Sequence, residues 1–150
     1  MTELDVPKFI EMSSDKFKRC LKYVAEPYLK EKDLRLHHML FIYNIGSHPG
    51  TSQKQLRNYL PYDKSRVSMV ITELIEMGLV EDRNEGKLAE LVLTEKGKAI
   101  YSEVKVLALD FKQQLLAGFT DEEKTFLLNC LNRFDKNMDS ILEESNKWTV

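Results

Sequence analysis

Apolar residues in the first third of the chain recur at helical spacing. Phe17, Cys20, Leu21, Val24 and Tyr28 fall on one stripe of a 3.6-residue period, with Ser13 or Ser14 available as an N-cap. The pattern predicts an amphipathic first helix that Pro27 kinks or ends. From about Leu34 to Gly46, the residues Leu36, Met39, Leu40, Phe41, Ile42 and Ile45 are apolar on so many sides that a second helix is expected at the centre of the fold. Ser47-His48-Pro49-Gly50 then breaks the chain. Ser52 and Gln55 have the spacing of a capping box, opening a short third helix with Leu56, Tyr59 and Leu60 inward, and Pro61-Tyr62 forms the next turn.

Asp63 is positioned to cap a fourth helix, on which Val67, Val70, Ile71 and Leu74 form an apolar stripe. Lys64, Ser65, Arg66, Ser68, Met69 and Thr72 fall outside that stripe and make up a candidate reading surface. Gly78 has the place of a C′ residue, where a left-handed backbone ends a helix. Leu79 to Leu93, with its tip at Asn84-Glu85-Gly86-Lys87, reads as a β-hairpin. Thr94 caps a long helix with Ile100, Val104, Leu107, Phe111 and Leu115 in register. The capping box Thr120/Glu123 starts a last one carrying Leu127, Leu128, Leu131, Phe134, Met138 and Ile141. Two helices joined by a turn and followed by a hairpin are the parts of a winged helix-turn-helix, so the expected fold class is mainly α with a small β-hairpin wing.

A length of 150 residues suffices for one compact domain, and 43% apolar with 31% charged residues is an ordinary globular balance. The amino terminus, with Glu3 and Asp5, lacks the basic start of a signal peptide, and no stretch approaches a membrane span, so a cytoplasmic location is expected. Cys20 and Cys130 stand far apart, which gives no support to a disulfide framework or a zinc ribbon and suggests reduced packing residues. A net charge of −2 argues against nucleic acid as a partner until its distribution is considered. Lys54, Arg57, Lys64 and Arg66 are opposed locally by Asp63 alone, whereas Asp121, Glu122, Glu123, Asp135, Asp139, Glu143 and Glu144 crowd the last thirty residues. A basic patch on an acidic body is compatible with DNA binding.

The stretch Asp63-Lys64-Ser65-Arg66-Val67-Ser68-Met69-Val70-Ile71-Thr72-Glu73-Leu74-Ile75-Glu76-Met77-Gly78-Leu79-Val80, followed by Leu93-Thr94-Glu95-Lys96-Gly97, resembles the MarR family in residue type and spacing. The resemblance extends over most of the chain. It implies one MarR-like domain over 1–150, with a winged helix-turn-helix lobe at 34–97 and dimerisation helices at 6–30 and 98–147. It also implies a homodimer that regulates transcription, as a repressor, on the inverted repeat of a palindromic double-stranded DNA operator, with release by a phenolic or drug-like effector. The DNA-binding set expected from the residues and the resemblance together is Gln53, Lys54, Lys64, Ser65, Arg66, Ser68, Met69, Thr72, Arg83 and Lys87. Arg66 is suited to a bidentate contact with guanine, and Met69 stands where the family commonly has Arg. Lys87 and Glu85 fill the places of the wing Arg and its buttressing Asp, and Lys lacks the planar fork that suits a narrow minor groove.

Tyr28, His37, His38, Tyr43 and Phe111 are candidates for an effector cavity, although core packing explains each equally well. His37-His38 invites a metal-sensing alternative, since zinc-sensing relatives place a ligand His on this helix. Adjacent histidines point in different directions on a helix, and the fifth helix offers only Glu95, Glu103 and Asp110, so no metal site and no cofactor is expected. The reading set against a metal is a pair of half-buried histidines bonded to backbone or carboxylate. Cys20 raises a redox-sensing alternative, which membership of the apolar stripe opposes because a buried cysteine is usually inert. No Ser/His/Asp arrangement, phosphate loop or carboxylate pair has a recognisable context, which excludes an enzyme reading. The remaining alternative is a winged-helix protein-interaction module without DNA specificity.

Overall fold

The computed structural model describes residues 15–84 and 90–147. Helices α1 (Asp15–Lys32), α2 (Leu36–Ser47), α3 (Gln53–Tyr59) and α4 (Lys64–Glu76) precede strands β1 (Val80–Asp82) and β2 (Leu91–Leu93), and α5 (Glu95–Leu115) and α6 (Asp121–Lys147) follow. The chain forms two compact units, residues 1–111 and 112–150.

In the first unit α2 is central, with Phe41, Ile42 and Ile45 fully buried. Around it pack Leu56 of α3, Val67, Val70 and Leu74 of α4, Leu91 and Leu93 of β2, and Ile100 and Val104 of α5. The local start signals operate as the sequence predicts. Ser52 Oγ accepts from Gln55 N–H at 3.1 Å while Gln55 Oε1 accepts from Ser52 N–H at 3.0 Å. Asp63 Oδ1 accepts from Arg66 N–H at 2.8 Å, and Thr94 Oγ1 accepts from Gly97 N–H at 3.1 Å. Gly78, at φ 72°, ends α4 in the left-handed region. The hairpin is antiparallel, with Val80 opposite Leu93 and Asp82 opposite Leu91. Gly50 and Thr51, just before α3, also bond to Leu91 and tie the wing's return strand to the helix-turn-helix.

Three expectations are corrected. Pro27 does not end helix α1, which continues through it to Lys32 and stops at Asp33, whose φ of 54° lets Leu34 N–H reach Leu29 O at 2.8 Å. The carbonyl of Tyr23, which Pro27 leaves without an N–H partner, belongs to a residue 79% exposed, so water can satisfy it. The face of α1 turned to the core is set by Ala25 and Leu29 with Leu21 and Tyr28 beside them, and Cys20 is exposed. The burial argument against Cys20 reactivity therefore falls. Tyr59 does not point inward; it is half exposed and stacks on His48, with ring centroids 4.6 Å apart and planes 8° from parallel. The proposed caps Ser13 and Ser14 lie outside the described residues.

In the second unit, α6 opens with the predicted capping box, Thr120 N–H to Glu123 Oε1 at 2.9 Å and Glu123 N–H to Thr120 Oγ1 at 3.1 Å. These bonds hold the Glu123 carboxyl below the usual range, the backbone bond contributing most. Phe126, Leu128, Leu131, Phe134, Met138, Ile141 and Leu142 of α6 are all exposed. No described helix is long and apolar enough to cross a membrane.

Candidate nucleic-acid interface

The period of α4 divides its side chains as expected. Val67, Val70, Ile71 and Leu74 are buried, while Lys64, Ser65, Arg66, Ser68, Met69 and Thr72 are all exposed along the opposite face. Arg66 is pre-positioned: its guanidinium lies over the Tyr62 ring, 5.2 Å from the centroid, and that ring leans on buried Phe41 with centroids 5.8 Å apart. A core aromatic thus supports a surface aromatic, which in turn limits the rotamers of an arginine available for a base edge. Sequence reasoning treated Tyr62 as a turn residue and missed this role. The available signal was an aromatic four residues before an arginine, with the helix start between them. Thr72 Oγ1 donates to Ser68 O at 3.0 Å, so its hydroxyl hydrogen is already used within the helix.

At the start of α3, Gln53 is half-buried and Lys54 exposed. Arg83 is exposed at the base of the wing, where its N–H bonds to Glu90 O at 3.0 Å. Asp82 Oδ1 accepts from both Asn84 and Glu90 N–H at 3.0 Å, closing that base, a function that sequence analysis did not assign. Lys87 and Glu85 lie outside the described residues.

The effector candidates do not share one cavity. Tyr43 and Phe111 line an apolar cavity of about 220 Å³ between α1, α2 and α5, together with Phe17, Leu21, Met39 and Val104. Phe17 meets Phe111 edge to face with centroids 5.3 Å apart. Tyr28 instead donates to Glu103 Oε2 at 2.5 Å, and burial first, then this bond, pushes its phenol well above its ordinary value. His37 and His38 line a separate open cleft of about 680 Å³ between α2 and α4.

The two histidines do not diverge as expected. Their rings meet edge to face with centroids 4.2 Å apart, and both Nε2 atoms approach Glu73 Oε2, at 2.7 Å from His38 and 3.5 Å from His37. His38 Nδ1 accepts from Arg35 N–H at 3.1 Å, serving the unfilled amino end of α2. A neutral ring that accepts at Nδ1 carries its hydrogen on Nε2, so His38 donates to Glu73. The hydrogen bond to His38 holds the Glu73 carboxyl below its usual value. At 3.5 Å, His37 Nε2 lacks hydrogen-bond geometry and is a buried nitrogen without a partner. Burial, then the neighbouring His38, pushes the His37 imidazole below the usual histidine value.

Comparison with known proteins agrees with this architecture. Residues 32–87 match the model of the MarR family. The chain is 28% identical, over 81% of its own length and 83% of the relative's, to YybA of Bacillus subtilis, an uncharacterized HTH-type transcriptional regulator. Its fold superposes with a TM-score of 0.81, at 23% identity and over 97% of each chain, on a MarR family regulator from Listeria monocytogenes complexed with 26mer DNA. It also resembles a MarR family protein of Mycobacterium tuberculosis in complex with salicylic acid, with a TM-score of 0.64 and 16% identity over 88% of this chain and 97% of that one. The matched stretch runs from the last residue of α1 into the wing, and the fold is that of the MarR family's winged helix-turn-helix regulators, to which the chain is similar.

Proposed function

We propose that this protein is a cytoplasmic homodimeric repressor that reads an inverted repeat, placing α4 in the major groove and the wing at the minor groove. The observation that carries the reading is the outer face of α4, where six side chains of the predicted set are exposed and Arg66 rests on Tyr62. Gln53, Lys54, Lys64, Ser65 and Ser68 then position the helix on phosphates, Arg66 and Met69 meet base edges, and Arg83 and Lys87 serve the wing. A second copy is supported by α6, where Leu131, Phe134, Met138 and Ile141 recur at alternating spacings of three and four residues and are all exposed in the single chain. The lobe at 34–97 is the reading head, with 6–30 and 98–147 as pairing helices.

The effector assignment narrows from five residues to the apolar cavity that includes Tyr43 and Phe111, whose volume of about 220 Å³ suits a small aromatic compound of the phenolic kind. A ligand there acts by changing the separation of the two recognition helices, and a coupling of about 1–3 kcal/mol suffices for a switch. The decisive experiment is a mobility-shift titration on a duplex from the protein's own promoter against a scrambled one. Selective retardation, with a footprint on half-sites roughly 10 base pairs apart, is the expected result. Equal affinity for both duplexes refutes the reading and favours a protein-interaction module.

A further inference from the structure

We propose that His37, His38 and Glu73 form a divalent-metal site, of the class that suits zinc, joining α2 to the recognition helix. One donor atom from each residue lies within 4.8 Å of the others. Nε2 of His37 is buried without a hydrogen-bond partner, an arrangement that an ion would satisfy. The group opens onto the cleft of about 680 Å³ that Met69 and Glu76 also line, giving an ion an entry path and a water a place as fourth ligand. Two imidazoles and a carboxylate are donors of the borderline kind zinc prefers.

The distances test the fit. Tetrahedral zinc with bonds of about 2.0–2.1 Å sets neighbouring donors about 3.3 Å apart. His37 Nε2 and Glu73 Oε2, at 3.5 Å, already have that separation. His38 Nε2 and Glu73 Oε2 are at hydrogen-bond distance, 2.7 Å, and open by about 0.6 Å when an ion replaces the hydrogen between them. To stay neutral while ligating through Nε2, the His38 ring carries its hydrogen on Nδ1. There it meets the Arg35 N–H, so the bond now serving the start of α2 is lost. Metal binding and the present N-terminal arrangement of α2 are therefore alternatives, and the ion exchanges a link through a hydrogen for a link through coordination. Arg35 and Arg66 line the same cleft and their charge weakens the site, while Glu76 opposes them. Glu73 stands four residues after Met69 and seven after Arg66 on α4, so an ion held by it bears on the helix that carries the reading side chains.

The test uses the untagged full-length chain, stripped with chelator and titrated with Co²⁺ in the absence of DNA, so that its result is independent of operator recognition. One Co²⁺ per chain, with the visible bands of a tetrahedral N/O site and displacement by Zn²⁺, is expected. His37→Gln and Glu73→Gln should each weaken binding by more than about tenfold, since even outer-sphere losses commonly reach that size. His48→Gln, which alters the ring stacked on Tyr59 outside the cluster, should leave it unchanged. Thermal melts of the metal-free variants establish that each is folded, and because Glu73 is partly exposed its variant keeps the test valid if His37→Gln is not. Absence of Co²⁺ bands with folded protein overturns the proposal. So does binding that survives both substitutions, which would mean an adventitious ion only.

Discussion

Replacing Gly97 by Ala should destabilise the protein although the substitution improves helix propensity. Gly97 lies in the first turn of α5, and a Cβ there would sit 2.1 Å from the carbonyl oxygen of Leu79 and 3.3 Å from Leu93 Cβ. Backbone cannot rotate away as a side-chain tip can, so α5 and the entry to β1 must separate by about 1 Å, which overpacking data place at about 1–3 kcal/mol. The same Leu79 oxygen accepts from Thr94 N–H at 3.0 Å, and Thr94 Oγ1 donates to Gly78 O at 2.6 Å. Losing both bonds adds about 2 kcal/mol. The gain of Ala over Gly inside a helix returns about 1 kcal/mol, leaving a net loss of about 2–4 kcal/mol. Urea unfolding followed by circular dichroism should show it, with Tm lower by on the order of 6–12 °C at matched protein concentration. Lys98→Ala, an exposed change one position on, should stay within about 0.5 kcal/mol of the parent. A Gly97→Ala protein as stable as its parent would refute the close approach of helix and strand entry on which the reasoning rests.

Arg66→Ala should cost about 1–3 kcal/mol on the preferred operator and much less on random DNA, whereas Lys87→Ala should weaken both nearly alike and lower the salt slope by roughly one unit per protomer; titrations at several salt concentrations distinguish the two. Reversed behaviour would exchange the roles assigned to helix and wing. Leu131→Asp places a charge on the exposed apolar side of α6 and should split or unfold the dimer, as sedimentation would record; a parent chain already monomeric at micromolar concentration contradicts the pairing role of that helix. Because the Tyr28 phenol is raised in the folded state, the unfolded chain loses its proton first, and this contribution to stability, present below about pH 10, falls as pH rises above it. Urea midpoints measured across that range should fall less steeply for Tyr28→Phe; an unchanged slope removes Tyr28 as the cause.

The features legible in the sequence are those whose causes lie within a few residues. The caps at Ser52, Asp63, Thr94 and Thr120 form because donor and acceptor are three positions apart and local geometry brings them together. The division of α4 into buried and exposed faces follows from the helical period, and the place of Gly78 from its tolerance of positive φ. Tertiary packing decided the rest. Period alone allowed the apolar stripe of α1 to include Cys20, but its docking against α2 buries Ala25 and Leu29 and leaves Cys20 to solvent. Nothing within the third helix turns Tyr59 outward; the His48 ring, supplied by the preceding turn, stacks on it there. Adjacent histidines on an isolated helix diverge, yet His37 and His38 meet one carboxylate because α4 crosses α2 and presents Glu73, 35 positions after His38, to both rings. Tyr28 of α1 and Glu103 of α5, 75 positions apart, are joined because the fold brings those two helices together. Helical period and capping are set along the chain, whereas these contacts depend on which helices cross and at what rotation, and the burial of the whole core determines that.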